Sequence, residues 1–295
     1  MRNYKRSKRP IGEILFDAIN IMLISLITFT CVFPFLNVFA KAFSSDAAIV
    51  AGRVGLWPVG FQTDAMLRIF KTKTVMNSLF VTIGITVLGT AINMLLTILM
   101  AYPLSRRDLV GRKFLMKFIL VTMMFSGGMI PSFLVVKSLG LLNTIWSLIL
   151  PGAINTFNLI VMRTFFEGLP IELEEAARVD GCNNFRILVQ IVLPLSLATI
   201  ATLTLFYAVA HWNSYFNAML YIDKPELYTL QVKLRQLLLA GQSAELQEGL
   251  DISAHLSEEA LKASTIVFAT VPILLVYPWL QKYFVKGVTV GAVKG

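Results

Sequence analysis

A chain of 295 residues that is 56% hydrophobic and only 15% charged, with a mean hydropathy of +0.72, carries more apolar surface than the polar coat of a soluble domain could hide. Lipid must solvate most of it. The formal net charge of +9 does not point to a nucleic-acid partner, because the basic residues stand in short tracts beside apolar runs, where they fix topology and meet anionic headgroups.

The chain opens on the basic tract RNYKRSKRP and enters an apolar run over 19–43. Ala40-Lys41-Ala42 imitates a signal-peptide cleavage site, but the run is long enough to span a bilayer, so a retained first helix is expected behind a cytoplasmic tail and elbow at 1–18. Further apolar stretches follow at 77–102, 114–136, 144–165, 188–210 and 263–283. Each is long enough to cross about 30 Å of hydrocarbon at about 1.5 Å per residue. The expected fold class is therefore all-α: a polytopic membrane protein with six transmembrane helices, its membrane body covering 19–295. Arg106, Arg107, Arg112, Lys113 and Lys117, the segment 163–186 and both tails form the denser basic group, which places both termini in the cytoplasm.

Interruptions are expected in three spans, at Ser126-Gly127-Gly128 with Pro131, at Pro194, and at Pro272 and Pro278. The span centres lack Asp, Glu, Lys and Arg, which argues against an ion-coupled carrier, whose coupling device is an intramembrane ionisable group. No nucleotide-binding glycine motif, zinc-protease motif or nucleophile elbow occurs, so no enzyme constellation is visible and the chain is expected to bind no cofactor. His211 and His255 lie in different contexts, and Cys31 and Cys182 lie far apart, so neither a metal site nor a disulfide framework is expected.

Between the fourth and fifth spans runs GLPIELEEAARVDGCNNFRILVQIVLPLS. Pro170 suits a first helical turn, Glu172, Glu174 and Glu175 complement the positive helix end, Gly181 suits the position just past the C-terminus, and Asn183 or Asn184 can cap the next helix. A helix of about ten residues is marginal in water and needs a surface. Leu173, Ala176, Ala177 and Asp180 share one stripe, while the glutamates offer charge partners. That surface is either another protein or the chain's own body; physics alone leaves both open.

The spacing Glu175-Ala176-Ala177, three residues, Gly181, nine residues, then Ile191-x-Leu193-Pro194 matches the EAA motif of ABC importer permeases. MIPSFLVVKSLGLLNTIWSLILPGAINTFNLIVMRTFFEGLP and HWNSYFNAMLYI resemble the carbohydrate-uptake branch that includes maltose-type permeases, and most of all the second permease of oligosaccharide and uronate-oligosaccharide systems. FSGGM in span three departs from the maltose pattern. The resemblance implies a type I ABC importer permease in the bacterial cytoplasmic (inner) membrane. It implies a distinct homologous permease as partner, two ATPase subunits that hold ATP and Mg, and an extracytoplasmic sugar-binding protein. The segment 171–181 would be the coupling helix, seated on an ATPase subunit through Glu174, Glu175, Ala176, Ala177, Asp180 and Gly181, with Ile191, Leu193 and Pro194 behind it.

Two further sets follow. Asn155 and Asn158 share a face of span four; Tyr207 and His211 share a face of span five, with Trp212, Asn213 and Tyr215 just beyond. Amides and aromatics suit the hydroxyls and C–H faces of a saccharide, which makes these candidates for its path; interhelical hydrogen bonding and an interfacial aromatic belt are the alternatives. In the external segment 221–262, Leu227, Leu230, Leu234 and Leu237 repeat at helical spacing and Ser257 suits a helix start. Resemblance makes 238–248, with Leu238, Gly241, Gln242 and Glu245, the candidate contact for the binding protein. Permeation of a non-sugar solute stays open, since the EAA motif is shared across importers; a secondary transporter or a membrane enzyme fits less well.

Overall fold

The structure is a computed structural model that describes residues 11–125, 127–239 and 257–292, with side chains described up to Leu275 except at Ile11 and Ile14. All regular structure among the described residues is helical. In chain order it comprises α1 (Ile11–Ala42), α2 (Asp46–Val50), α3 (Asp64–Lys71), α4 (Lys73–Ser105), α5 (Arg112–Met124), α6 (Met129–Ser138), α7 (Trp146–Ile149), α8 (Thr156–Glu167) and α9 (Glu172–Val179). There follow α10 (Asn184–Ile187), a wide π turn (Leu188–Val192), α11 (Leu193–Leu195), α12 (Leu197–Trp212), α13 (Phe216–Tyr221), a 3-10 turn (Pro225–Leu227), α14 (Leu230–Leu239) and α15 (Glu258–Ala292).

The chain divides into two compact units, Met1–Lys71 with Gly241–Phe268, and Thr72–Ala240 with Ala269–Gly295. In the first, α1 exposes its apolar side chains along most of its length, and Thr28 and Thr30 return their hydroxyls to the carbonyls of Ile24 and Leu26, as a lipid-embedded helix requires. A small core forms from Ala40, Ala48, Ile49, Val54, Ala65 and Ala260. Ser257 caps α15, its hydroxyl accepting the Ala260 N–H at 3.2 Å while its own N–H donates to Asp46 Oδ1 at 2.7 Å.

In the second unit α4 is the central rod, packed against α8 and α12. Its polar residues Ser78, Thr82, Asn93 and Thr97 are buried, while Phe80, Val87, Leu95 and Leu99 are exposed. That is amphipathicity turned inside out. In lipid, small and polar residues mediate helix contact, and large apolar ones face the acyl chains.

α1 (from Leu15) and α4 are each long and apolar enough to cross a membrane alone; α5 with α6, bent by 115°, and the stretch 184–212, bent by 84°, qualify as broken spans. The first break ends at Gly128, the N-cap of α6, whose φ of 83° no helix accommodates. The expected single helix over 144–165 is instead α7 and α8 joined through Pro151-Gly152, because Asn155 caps a fresh helix start by accepting the Asn158 N–H at 3.1 Å. Pro272 and Pro278 do not interrupt α15 as expected: each removes one donor and leaves the flanking ladder intact. Leu227 lies in the 3-10 turn, not on the leucine helix, whereas Leu230, Leu234 and Leu237 are buried along α14.

Candidate functional site

Three glutamates at the start of α9 meet the positive end of its dipole. Pro170 stands one residue before the N-cap Ile171 rather than inside the first turn. At the other end Gly181 takes a φ of 80°, and two hydrogen bonds close the helix: Gly181 N–H to the Arg178 carbonyl at 3.0 Å and Cys182 N–H to the Ala177 carbonyl at 2.9 Å. This pair defines a Schellman ending, which turns the chain sharply into α10. Asn183, rather than Asn184, caps α10 through the Arg186 N–H at 2.8 Å. Ile191 and Leu193 then seat the following segment on the same apolar cluster that holds Ala177 and Cys182, while Pro194 is exposed.

Only Glu174 and Ala177 of α9 are buried. Ile171, Leu173 and Val179 point outward, Val179 being 87% exposed, and Phe185 beyond the turn is exposed as well. Glu175, Ala176, Arg178 and Asp180 share that open surface. The sequence-level stripe is therefore split: Leu173, Ala176 and Asp180 face out, and Ala177 faces in. Glu174, grouped from sequence with the outward charges, turns inward to pair with Arg106 at the end of α4. Losing one partner of such a pair costs on the order of 3–5 kcal/mol.

A second ion network flanks the first. Arg112 and Arg163 both reach the Leu104 carbonyl and both bridge Glu167, at 2.6 and 2.5 Å. Partial burial pushes the Glu167 carboxyl up, but the Arg112 hydrogen bond and the charges of Arg163, Arg112 and Arg107 outweigh it and hold it below the ordinary carboxylate range. It stays an anion at neutral pH, tying the ends of α4 and α8 to the start of α5.

Deeper along α4 lies a buried polar seam. His211 packs its ring directly on Gly89, where an added Cβ would stand 2.6 Å from Nε2. Asn93 Nδ2 lies 3.1 Å from His211 Nε2 and donates to the Gly152 carbonyl at 3.4 Å. The Gly152 carbonyl orients the Asn93 amide so that Nδ2 is shared between that carbonyl and the His211 ring. Tyr207 OH accepts the Asn155 N–H at 3.0 Å and lies 2.8 Å from Thr97 Oγ1. The structure thus brings Asn155, Tyr207 and His211 together, with Asn158 buried one turn along α8.

A model of the family described as "Binding-protein-dependent transport system inner membrane component" matches residues 7–290. The chain belongs to this family. It is 48% identical over 283 residues to the polygalacturonan/rhamnogalacturonan transport system permease protein YtcP of Bacillus subtilis (strain 168), covering 95% of this chain and 99% of that one. Protein LplC of the same organism is 45% identical over 281 residues, covering 95% of each. A chain in the crystal structure of a bacterial ABC transporter involved in the import of the acidic polysaccharide alginate superposes with a TM-score of 0.90 at 34% identity, over 94% of this chain and 99% of that one. This inner-membrane component is accordingly a transport permease of the type I importer fold, not an enzyme, and its transport depends on a binding protein.

The remaining candidates of the permease scatter. Trp212 lines an apolar cavity of about 400 Å³ with Leu79, Ile83, Pro272 and Ile273. Asn213 is exposed and returns its amide to the Val209 carbonyl, and Tyr215 lies under the Arg235 guanidinium, 4.9 Å from ring centroid to Cζ. Leu238 is half-buried near the end of α14; Gly241, Gln242 and Glu245 lie outside the described residues. Sequence reasoning missed Gly89, Asn93 and Thr97, which stack at four-residue spacing on α4 opposite Tyr207 and His211. The signal was there: Ser78, Thr82, Gly89, Asn93 and Thr97 form a small-and-polar stripe within an apolar span.

Proposed function

We propose that this chain is a permease subunit of an ATP-driven importer that moves an oligosaccharide, of the uronate-containing class, across the cytoplasmic membrane. The observation that carries the ATP-driven part is α9: an eight-residue helix anchored to its own body by Glu174 and Ala177, presenting Ile171, Leu173 and Val179 outward and set at its angle by Gly181. A helix that short, with apolar side chains left in water, gains its stability from a docked partner. That partner is one of two ATPase subunits, which hold ATP and Mg; Glu175, Ala176 and Asp180 form the contact. A homologous second permease completes the membrane body, both termini lie in the cytoplasm, and the permease domain runs over 19–295 behind the tail at 1–18. The sugar-binding protein docks on the opposite side at 238–248.

The substrate class is supported by the relatives, two of which carry polygalacturonan/rhamnogalacturonan and alginate in their descriptions. The sugar's path passes the seam, where Asn155, Asn158, Tyr207 and His211 offer amide, hydroxyl and ring groups; Trp212, Asn213 and Tyr215, which follow on the chain, are the further candidates for it. The test is ATP-dependent uptake by the full importer in proteoliposomes, comparing oligogalacturonates, neutral oligosaccharides and amino acids. Oligogalacturonates should be taken up preferentially, and Asn158→Leu should lower that uptake by about tenfold, on the order of one lost buried polar contact, in a complex that still assembles. Uptake of amino acids and of no saccharide would refute the sugar reading. Undiminished uptake in Asn158→Leu would move the path to the second permease.

A further inference from the structure

We infer that Arg106 is a positioning residue for coupling: through Glu174 it clamps α9 onto the end of α4, so that motion of the docked helix reaches α4 directly and is not absorbed in the segment that follows α9. The inference rests on the docking role of α9 proposed above. Two routes join α9 to the buried seam. The covalent one runs through Gly181, the π turn at Leu188–Val192 and the 84° bend at Ser196 before reaching α12. A π turn, a proline and a sharp bend in series make a compliant connection. The non-covalent one is Arg106. It caps α4 at its C-terminus, lays its guanidinium 4.4 Å from the centroid of the Tyr102 ring, and pairs with Glu174. Tyr102 packs in turn edge-on against Phe166 of α8.

The Arg106–Glu174 pair joins α9 to the end of α4 with little exposure of either side chain. Arg106 Nε and Nη2 make no hydrogen bond to another described residue. A cavity of about 250 Å³, lined by Arg106, Asp108, Glu167, Glu174, Glu175 and Arg178 among others, opens beside it and leaves room for the pair to shift as a unit. The two routes meet where α4 and α12 touch, at Gly89, Asn93 and Thr97 against His211 and Tyr207. Arg106 therefore closes a frame of α9, α4 and α12, and a closed frame moves α4 and α12 together.

The test uses the whole importer in proteoliposomes and reads substrate imported per ATP hydrolysed, with assembly measured separately. Glu174→Gln, which keeps the shape and removes the charge, should lower that ratio by about tenfold, within the usual range of coupling between two sites. The exchanged pair Arg106→Glu with Glu174→Arg should recover most of it. A wild-type ratio in Glu174→Gln overturns the clamp, as does an exchanged pair no better than the single variants or unable to assemble. Glu175→Lys, on the open face of α9, separates the two claims. If it transports normally the docking reading has failed; if it loses transport while Glu174→Gln keeps the wild-type ratio, only the clamp has.

Discussion

Gly181→Val should abolish uptake and binding-protein-stimulated ATP hydrolysis in an importer that still inserts and assembles. The φ of 80° at Gly181 belongs to the left-handed region, and no heavy atom outside its chain neighbours lies within 4 Å of where a Cβ would be. Crowding is thus excluded as a cause, and what a substitution changes is the backbone. An ordinary side chain pays about 1–2 kcal/mol there, and a β-branched one more. To escape that strain the chain must give up the Cys182 and Gly181 hydrogen bonds that close α9, and the helix frays from the end that aims its open face. Loss of at least about tenfold in both readouts is expected, in keeping with the size of ordinary site-to-site coupling. Gly181→Asn is the control, because asparagine tolerates the left-handed region and has empty space to occupy; it should keep most of the activity. Equal losses in the two variants, or none in either, would remove Gly181 from the coupling account.

Gly89→Ala should destabilise the permease, whereas Gly84→Ala, whose Cβ would meet nothing within 4 Å, should not. The new Cβ would fall 2.6 Å from Nε2 and 2.7 Å from Cε1 of His211, a ring held on both sides by packing and by the Asn93 amide. α4 and α12 would have to part, at a cost of about 1–3 kcal/mol for overpacking, with a further penalty if the Asn93 amide loses its buried partner. A lowered melting temperature in detergent is the expected reading. Gly89→Ala with His211→Ala should melt above Gly89→Ala alone, because the second change removes the clash the first creates. A wild-type melting temperature in Gly89→Ala, or a double variant worse than both singles, would show that the helices do not meet here as described.

How much of this could be read from the sequence depends on whether a feature is local. The ending of α9 was legible because a glycine after an amphipathic turn has one good use, and Gly181 has the φ that use requires. The capping of α10 was narrowed to Asn183 or Asn184 on equally local grounds, and the bend near Pro194 was foreseen as an interruption. The inward turn of Glu174 was not legible, because nothing within α9 distinguishes it from Glu172 and Glu175; its partner, Arg106, stands 68 positions earlier in the chain. The division of the fourth span was missed for a related reason. Its mean apolar character says long helix, and only the competition between Pro151 and the cap at Asn155 decides otherwise. Tyr207 and His211 were found by their spacing, but their partners Thr97, Asn93 and Gly89 sit on a span that hydropathy reads as featureless, since small polar residues scarcely lower its average.

The central claim is that α9 offers its outer face to the ATPase subunit while its inner face stays on the permease. Single cysteines at Ala176, Val179 and Ala177, introduced after Cys31 and Cys182 have been replaced, test it in the assembled, transport-competent importer through thiol crosslinking to the ATPase. Ala176→Cys and Val179→Cys should be captured efficiently and Ala177→Cys, buried against the core, should not. Capture from Ala177→Cys alone, or from none of the three in a complex that still transports, would contradict it.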